Sequence, residues 1–430
     1  MFGLNLLAVR LPMAILGCIS LFIMYFLLKK ISNKKIALIG LAFFAICPWH
    51  IMKSRWGLES NLFPDIVLIF AYMMIMGIEN KNKILYYLSF VVLGFSAYAY
   101  GTSYYFLPIF LIPLLIILVK NKKIDIKQAI FGILIVGIVA LPIILYVIIN
   151  TFDLPQINLP FVTVPKLKVN RYEEITSIFS SEFLKKSLSN FLSALRIFVI
   201  QYDGLPWNAI IFIGTIYLFS TFFTIIGIID SFRKDNVVDV KYRSLFNIWF
   251  IVSIILTFIC EPNINRINII MIPIIYYTII GIYLCSNKSK KIAISILILY
   301  IVSFGVFIFK YSKEDCDTYG TFASDLEEVI QYVENIEDNS KKVIVPEDVN
   351  YIYVLFYSKY NTKDFVDTVK YEDEYVEFRK VQSFGKYEFE NIEYIKPGNV
   401  YIIRKSDLNK YDLSNCSIKE FKKYFVVECN

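Results

Sequence analysis

Ten apolar runs punctuate the first 309 residues of this 430-residue chain, and they decide what it can fold into. They fall at about 8–29, 35–48, 61–79, 84–101, 104–120, 127–149, 207–230, 244–260, 267–285 and 291–309. A helix needs about 20 apolar residues to cross a bilayer, so most of these runs are long enough to span one. Run 35–48 is short, and 84–101 nearly touches 104–120, as the arms of a tight hairpin would. Only 19% of the residues are charged and 57% are hydrophobic, where a soluble domain carries about a quarter charged residues. The expected fold class is a polytopic α-helical membrane protein of about ten spans, ending in a small α/β domain.

The net charge of +7 would suit nucleic acid if it were gathered on one surface. Instead the cations sit in short clusters between the apolar runs, so the expected partner is the lipid bilayer and no nucleic acid is expected. Lys29, Lys30, Lys34 and Lys35 follow the first run, Lys81 and Lys83 the third, and Lys120, Lys122, Lys123 and Lys127 the fifth. Arg233, Lys234, Lys241, Arg243, Lys288, Lys290 and Lys291 continue the series. The alternate short loops hold only Lys53, Arg55 and Arg266. Cytoplasmic loops are enriched in Lys and Arg, so the first set is read as cytoplasmic. The outer face then collects the stretch around Arg55, the loop 150–206, the turn EPNINRIN (261–268) and the tail 310–430. By the same count the N-terminus lies outside with no span to carry it there: either the chain inserts this way unaided, or a segment is missing before Met1.

Three outer stretches combine cations, carboxylates, amides and aromatics: PWHIMKSRWGLE (48–59), QYDGLPWN (201–208) and EPNINRIN. An Arg at a membrane surface can engage two oxygens of a lipid phosphate, and carboxylates there can position or deprotonate a hydroxyl. Trp49, Trp56 and Trp207 also fit an interfacial aromatic belt, and Lys53 can snorkel to headgroups. Asp65 lies within the outer end of a span, where a charge is costly. His50 is the only histidine, which excludes His-rich metal sites and Ser-His-Asp catalysis; no metal ligands are assigned. The seven cysteines (Cys18, Cys47, Cys260, Cys285, Cys316, Cys416 and Cys429) show no paired spacing, so no disulfide framework is expected. No phosphate-binding loop is present either.

The loop 150–206 begins Pro-rich and continues as an amphipathic helix, SEFLKKSLSNFLSALRIFVIQ. Its apolar residues recur at three- and four-residue steps, as in a helix lying on the membrane surface or closing a lipid-facing site. The tail reads as helices at DLEEVIQYVENIE and VNYIYVLFYSKY, with strands at KKVIVP, NVYIIRK and KYFVVEC. About 120 residues suffice for one small α/β domain. It carries no evident catalytic constellation.

GLNLLAVRLPMAILG (3–17), followed by PWHIMKSRWGLE, QYDGLPWN, NINRIN and VQSFGKYEF (381–389), resembles bacterial members of glycosyltransferase family 39. These are relatives of protein O-mannosyltransferases with the GT-C membrane fold. The resemblance implies an inverting transferase that moves a sugar, such as the hexose mannose, from a polyprenyl-phosphate-linked sugar donor. The acceptor would be a hydroxyl of a protein or cell-envelope glycan, at the outer face of a bacterial plasma membrane with the tail extracytoplasmic. It places Arg55 and Arg266 on the lipid phosphate and Arg10 near it, with His50, Asn265, Asp203 and Glu59 as further contacts. The acidic residue the family relies on would lie before Met1, leaving Asp203 and Glu59 as substitutes. The resemblance leaves open whether a divalent metal takes part. Two rivals are a transporter or flippase for lipid-linked saccharides, with polar residues at mid-span, and a non-catalytic scaffold presenting the tail.

Overall fold

The computed structural model describes residues 3–429 apart from 159, 161, 169–175, 179–180, 314–321, 337–340, 374–375 and 377–378. Its first 312 residues are helical: α1 (Leu6–Ile31), α2 (Lys34–Ile46), α3 (Pro48–Ser54), α4 (Leu62–Glu79), α5 (Lys83–Phe95), α6 (Ser103–Lys120), α7 (Ile126–Val139) and α8 (Leu141–Thr151). After a two-stranded hairpin, β1 (Ile157–Asn158) with β2 (Thr163–Val164), come α9 (Phe183–Ile200), α10 (Ser220–Phe232), α11 (Arg243–Ile259), α12 (Met271–Ser286) and α13 (Lys290–Tyr311). Among the described residues, five helices are long and apolar enough to cross a membrane: α1, α4 with its preceding turn, α6, α12 with its preceding turn, and α13. Two helix pairs pass the same test together across a bend, α2–α3 by 58° and α7–α8 by 66°, each a broken span or a re-entrant loop, so the described residues hold five to seven candidate spans against the ten expected. Three shorter apolar helices, Lys83–Tyr98, Ser220–Phe232 and Arg243–Ile259, account for the rest of the expected runs.

Proline explains both bends. Pro48 opens α3 and Pro142 lies in the first turn of α8. Each lacks an N–H, and the residue before a proline is driven from the helical region, as Cys47 is at φ −67°, ψ 121°. One expectation needs correcting. Run 207–230 is helical only from Ser220, and residues 211–219 form consecutive turns with positive φ at Phe212, Gly214 and Tyr217. The buried Gln201 competes successfully with the helix there. Its side-chain oxygen accepts from the Ile216 N–H at 2.9 Å, and its amide nitrogen donates to the Tyr217 carbonyl at 3.4 Å. A Cβ on Gly214, at φ +83°, would strike that same side chain.

The two irregular segments satisfy each other. The Trp49 N–H, freed by the α2–α3 break, donates to the Thr215 carbonyl at 2.8 Å, and the Tyr217 hydroxyl donates to the Ile46 carbonyl at 2.6 Å. Backbone groups freed from a helix and buried must find partners, and here each segment supplies the other's. Nearby, α10 and α12 approach closely through Gly227 and Gly281, where a Cβ on either would meet a carbonyl oxygen of the other helix. Thr224 and Thr278 join hydroxyls across the same contact at 2.7 Å.

The cationic loops gather at one end of the bundle. Lys241 N–H donates to the Ile31 carbonyl, Lys35 bonds Asn287, and Glu79 meets both Lys123 and the Tyr242 hydroxyl. Stretches 48–61, 201–219 and 260–268 gather through a different set of contacts at the other end.

Residues 313–430 form the bulk of a second compact unit. Its described helices are α14 (Leu326–Glu334), α15 (Tyr351–Ser358) and α16 (Thr362–Thr368). Its strands are β3 (Val343–Pro346), β4 (Lys370–Tyr371), β5 (Val381–Phe384), β6 (Tyr387–Glu390), β7 (Val400–Arg404), β8 (Cys416–Glu420) and β9 (Tyr424–Cys429). They form one sheet in the order β4-β5-β6-β3-β7-β9-β8, with β3 parallel to β6 and β7 and the remaining pairs antiparallel. Strand alternation sorts two cores: Val343, Val345, Val400 and Ile402 pack with Leu326, Val329, Ile330 and Val333 of α14, while Ile344, Tyr401 and Ile403 pack together in another. The cysteines hold a second correction. The β8–β9 register sets Cys416 opposite Cys429, and the two form a disulfide. Their separation of 13 residues in sequence becomes adjacency only once the hairpin closes. Cys316 lies outside the described residues.

Candidate functional site

Four contacts draw stretches 48–61, 201–219 and 260–268 together. Asp203 is the chief pin: one carboxylate oxygen accepts from the Leu205 N–H at 3.1 Å, and the other from Asn208 Nδ2 at 2.7 Å and the Ile264 N–H at 2.8 Å. It thereby ties QYDGLPWN to EPNINRIN. The Asn268 amide donates to the Ser60 carbonyl at 2.8 Å, and the Trp56 and Trp207 rings meet edge to face at 6.4 Å. With the Trp49–Thr215 bond, these contacts make one surface from segments up to 208 residues apart.

The candidate residues take different places on it. Arg55 caps α3, is exposed, and holds its guanidinium 5.0 Å above the Tyr311 ring with no ion pair among the described residues. Glu59 starts the 3₁₀ turn before α4, exposed, its carboxylate unbonded among the described residues. Arg266 is held by Glu261, its guanidinium donating to the Glu261 carboxylate at 2.7 Å and carbonyl at 3.3 Å. Asn265 stands half-buried beside it. Arg10 sits half-buried in α1. Two of the set face inward instead. Asp203 has both oxygens committed to loop backbone and an amide, so it holds shape rather than offering a free base. His50 is 3% exposed, its Nε2 within 3.0 Å of the Ser20 hydroxyl and its ring 3.9 Å from that of Phe44.

Lys53 departs further from the sequence reading. It does not snorkel: it is buried and ion-paired with Asp65, and its ammonium lies 5.0 Å from the Trp49 ring. A buried charge is stable only when paired, so each residue explains the other. Sequence reasoning noted Asp65 as costly yet did not join it to Lys53. Twelve residues separate them across a helix end and a 3₁₀ turn, a spacing with no helical period.

Beneath this surface lies a cavity of about 400 Å³, almost wholly apolar, between α9, α10, α11 and α12. Ile264 and Ile267 of the EPNINRIN stretch line it, as do Gln201 and Thr215 of the irregular segment. The amphipathic α9 supplies a wall, with Phe191 stacked on Phe258 of α11 at 4.3 Å, while Leu184, Leu188 and Leu192 stay exposed as a lipid-facing helix requires. Among the described residues, no group of three or more His, Cys, Asp or Glu side chains is placed to hold a metal ion.

Residues 1–149 match the family described as dolichyl-phosphate-mannose-protein mannosyltransferase. The resemblance carried by GLNLLAVRLPMAILG and PWHIMKSRWGLE is thus shown over that part of the chain. No curated protein matches. Among solved structures, the chain is similar to the Archaeoglobus fulgidus oligosaccharyltransferase in complex with Zn and sulfate, at 13% identity and a TM-score of 0.49, over 81% of this chain and 49% of that one. The same enzyme tethered to an acceptor peptide containing the NVT sequon gives 11% identity and a TM-score of 0.46, over 81% and 52%. The chain thus aligns with about half the length of the solved structures it matches.

Proposed function

We propose that this chain is a membrane glycosyltransferase that moves a sugar from a polyprenyl-phosphate-linked donor to an acceptor hydroxyl at the outer face of a bacterial plasma membrane. The observation that carries the reading is the juxtaposition at one end of the bundle. A surface bearing Arg55, Glu59 and Arg266 is pinned together there, and its EPNINRIN stretch forms part of an apolar cavity. An isoprenoid chain suits such a cavity, and a phosphate suits a guanidinium that no carboxylate occupies. Similarity of residues 1–149 to a mannosyltransferase family supports the same class of chemistry and a hexose such as mannose.

In the proposed reaction the acceptor oxygen attacks the anomeric carbon from the side opposite the leaving group. The bond from that carbon to the phosphate oxygen breaks, and the lipid phosphate departs with the electron pair. Arg55 stabilises the charge gathering on that phosphate, an interaction stronger in the transition state than before it. Arg266 adds a second cation by exchanging Glu261 for the phosphate. Glu59, the carboxylate left unbonded, takes the acceptor proton. The Cys416–Cys429 disulfide supports an extracytoplasmic tail, because such bonds persist in oxidising compartments.

The test is binding of polyprenyl phosphate to the purified chain in detergent, with the unphosphorylated polyprenol as control. Arg55→Ala should weaken phosphate-lipid binding about tenfold or more, as loss of a charge-assisted contact does, and leave the polyprenol unaffected. Equal affinity of wild type and variant for polyprenyl phosphate would sink the phosphate role of Arg55.

A further inference from the structure

In the tail sheet, the chain leaves two neighbouring parallel strands in opposite senses. From β3 it runs through α15 and α16 to β4 and β5 on one side, and from β6 it crosses to β7 on the other. Such divergence opens a crevice at the carboxyl ends of the strands, a place where α/β sheets commonly bind ligands. A pocket of about 610 Å³ occupies that position here, inside the range of about 300–1,000 Å³ for small-molecule sites.

Its lining narrows the ligand. The loop leaving β3 reads Pro346-Glu347-Asp348, with no glycine to cradle a phosphate and two carboxylates to repel one. The first turn of α15 is already capped, with Asn350 Oδ1 accepting from the Ile352 N–H at 3.0 Å. Four carboxylates face two cations in the pocket. Asp348 is paired with Arg404 at 2.6 Å and Glu372 with Lys380 at 3.9 Å, while Arg379 lies 5.1 Å from the Tyr371 ring. Glu347 and Glu390 remain without an ion pair among the described residues, and a backbone hydrogen bond of 3.2 Å holds the two residues side by side. Around them stand the Gln382 and Asn391 amides and the half-buried rings of Tyr351 and Phe389.

We propose that this pocket binds a saccharide bearing free hydroxyls and no acidic group. Adjacent carboxylates accept from neighbouring hydroxyls, amides both donate and accept, and an aromatic ring packs on the apolar face of a pyranose. The surplus of acceptors disfavours phosphorylated or acidic sugars. The proposal rests on the tail alone and is independent of the transfer reaction at the other site.

Saturation-transfer NMR on the full chain in nanodiscs tests it. The probes are chitotriose, mannotriose, glucose 6-phosphate and tetralysine. A neutral trisaccharide should show transfer, glucose 6-phosphate little, and Glu347→Gln with Glu390→Gln should weaken the trisaccharide about tenfold, the loss of hydrogen bonds to charged acceptors. Arg55→Ala should leave it unchanged, which separates this site from the proposed donor site. Absence of transfer from both trisaccharides, or transfer undiminished in the double variant, overturns the proposal. Salt-sensitive binding of tetralysine in place of sugar overturns it too, and makes the pocket a cationic-peptide site.

Discussion

At one end of the helical bundle Lys123 meets Glu79 with 44% and 21% of their side chains exposed; at the other, Lys53 meets Asp65 with 2% and 0% exposed. Both pair a lysine with a carboxylate, but the physics differs. The exposed pair gains little, because water and salt screen it and two long side chains must be ordered. The buried pair exists only because each partner cancels a desolvation cost that neither could bear alone. At the end where Arg55 and Arg266 stand, Gln201, Asn268 and Lys53 are buried and the half-buried Asp203 ties two loops together. Such groups hold the geometry of the surface that carries Arg55 and Arg266.

Three experiments would break or sharpen this contrast. Asp65→Leu leaves Lys53 buried and unpaired and should cost about 3–5 kcal/mol, while Lys53→Met with Asp65→Leu should recover most of it. Thermal unfolding of detergent-solubilised protein reads both, and equal losses in the single and double variants would mean that the pairing does not matter. Asp203→Ala strips the acceptor from two backbone N–H groups and should cost about 1–3 kcal/mol, with Asp203→Asn milder. Limited proteolysis should show new cleavage within 201–208 and 261–268 in the alanine variant, and an unchanged digest would remove Asp203 as the pin between them. Lys123→Ala, at the opposite end, should shift stability by less than about 1 kcal/mol. A loss there as large as that of Asp65→Leu would erase the difference between the ends.

Much of the architecture could be read from the sequence, since apolar runs, loop lysines and strand alternation are local signals. The tail elements from DLEEVIQYVENIE to KYFVVEC appear where their periodicity placed them. What escaped was decided by contacts distant in sequence. Residues 208–219 are as apolar as a helix and lose that form to one glutamine outside the run. Lys53 looked like an interfacial cation because its partner lies beyond a helix end. The Cys416–Cys429 pairing depends on a hairpin register that spacing cannot reveal. At the site, the grouping of the three polar stretches was legible from their composition, whereas the division between pins and exposed groups was not. Asp203 and Arg55 carry equally plain side chains, and only their hydrogen bonds tell them apart.

The mutual repair of the two helix breaks also has a bearing on synthesis. The Ile46 carbonyl and the Trp49 N–H find their partners in Tyr217 and Thr215. Those partners are made about 170 residues later, which at roughly 5–20 residues per second is a delay of about ten seconds or more. For that interval the Ile46 carbonyl and the Trp49 N–H lack the partners they have in the finished fold. Until the later segment arrives, water must satisfy them. The halves of the bundle therefore cannot mature one after the other; the first is completed by the second.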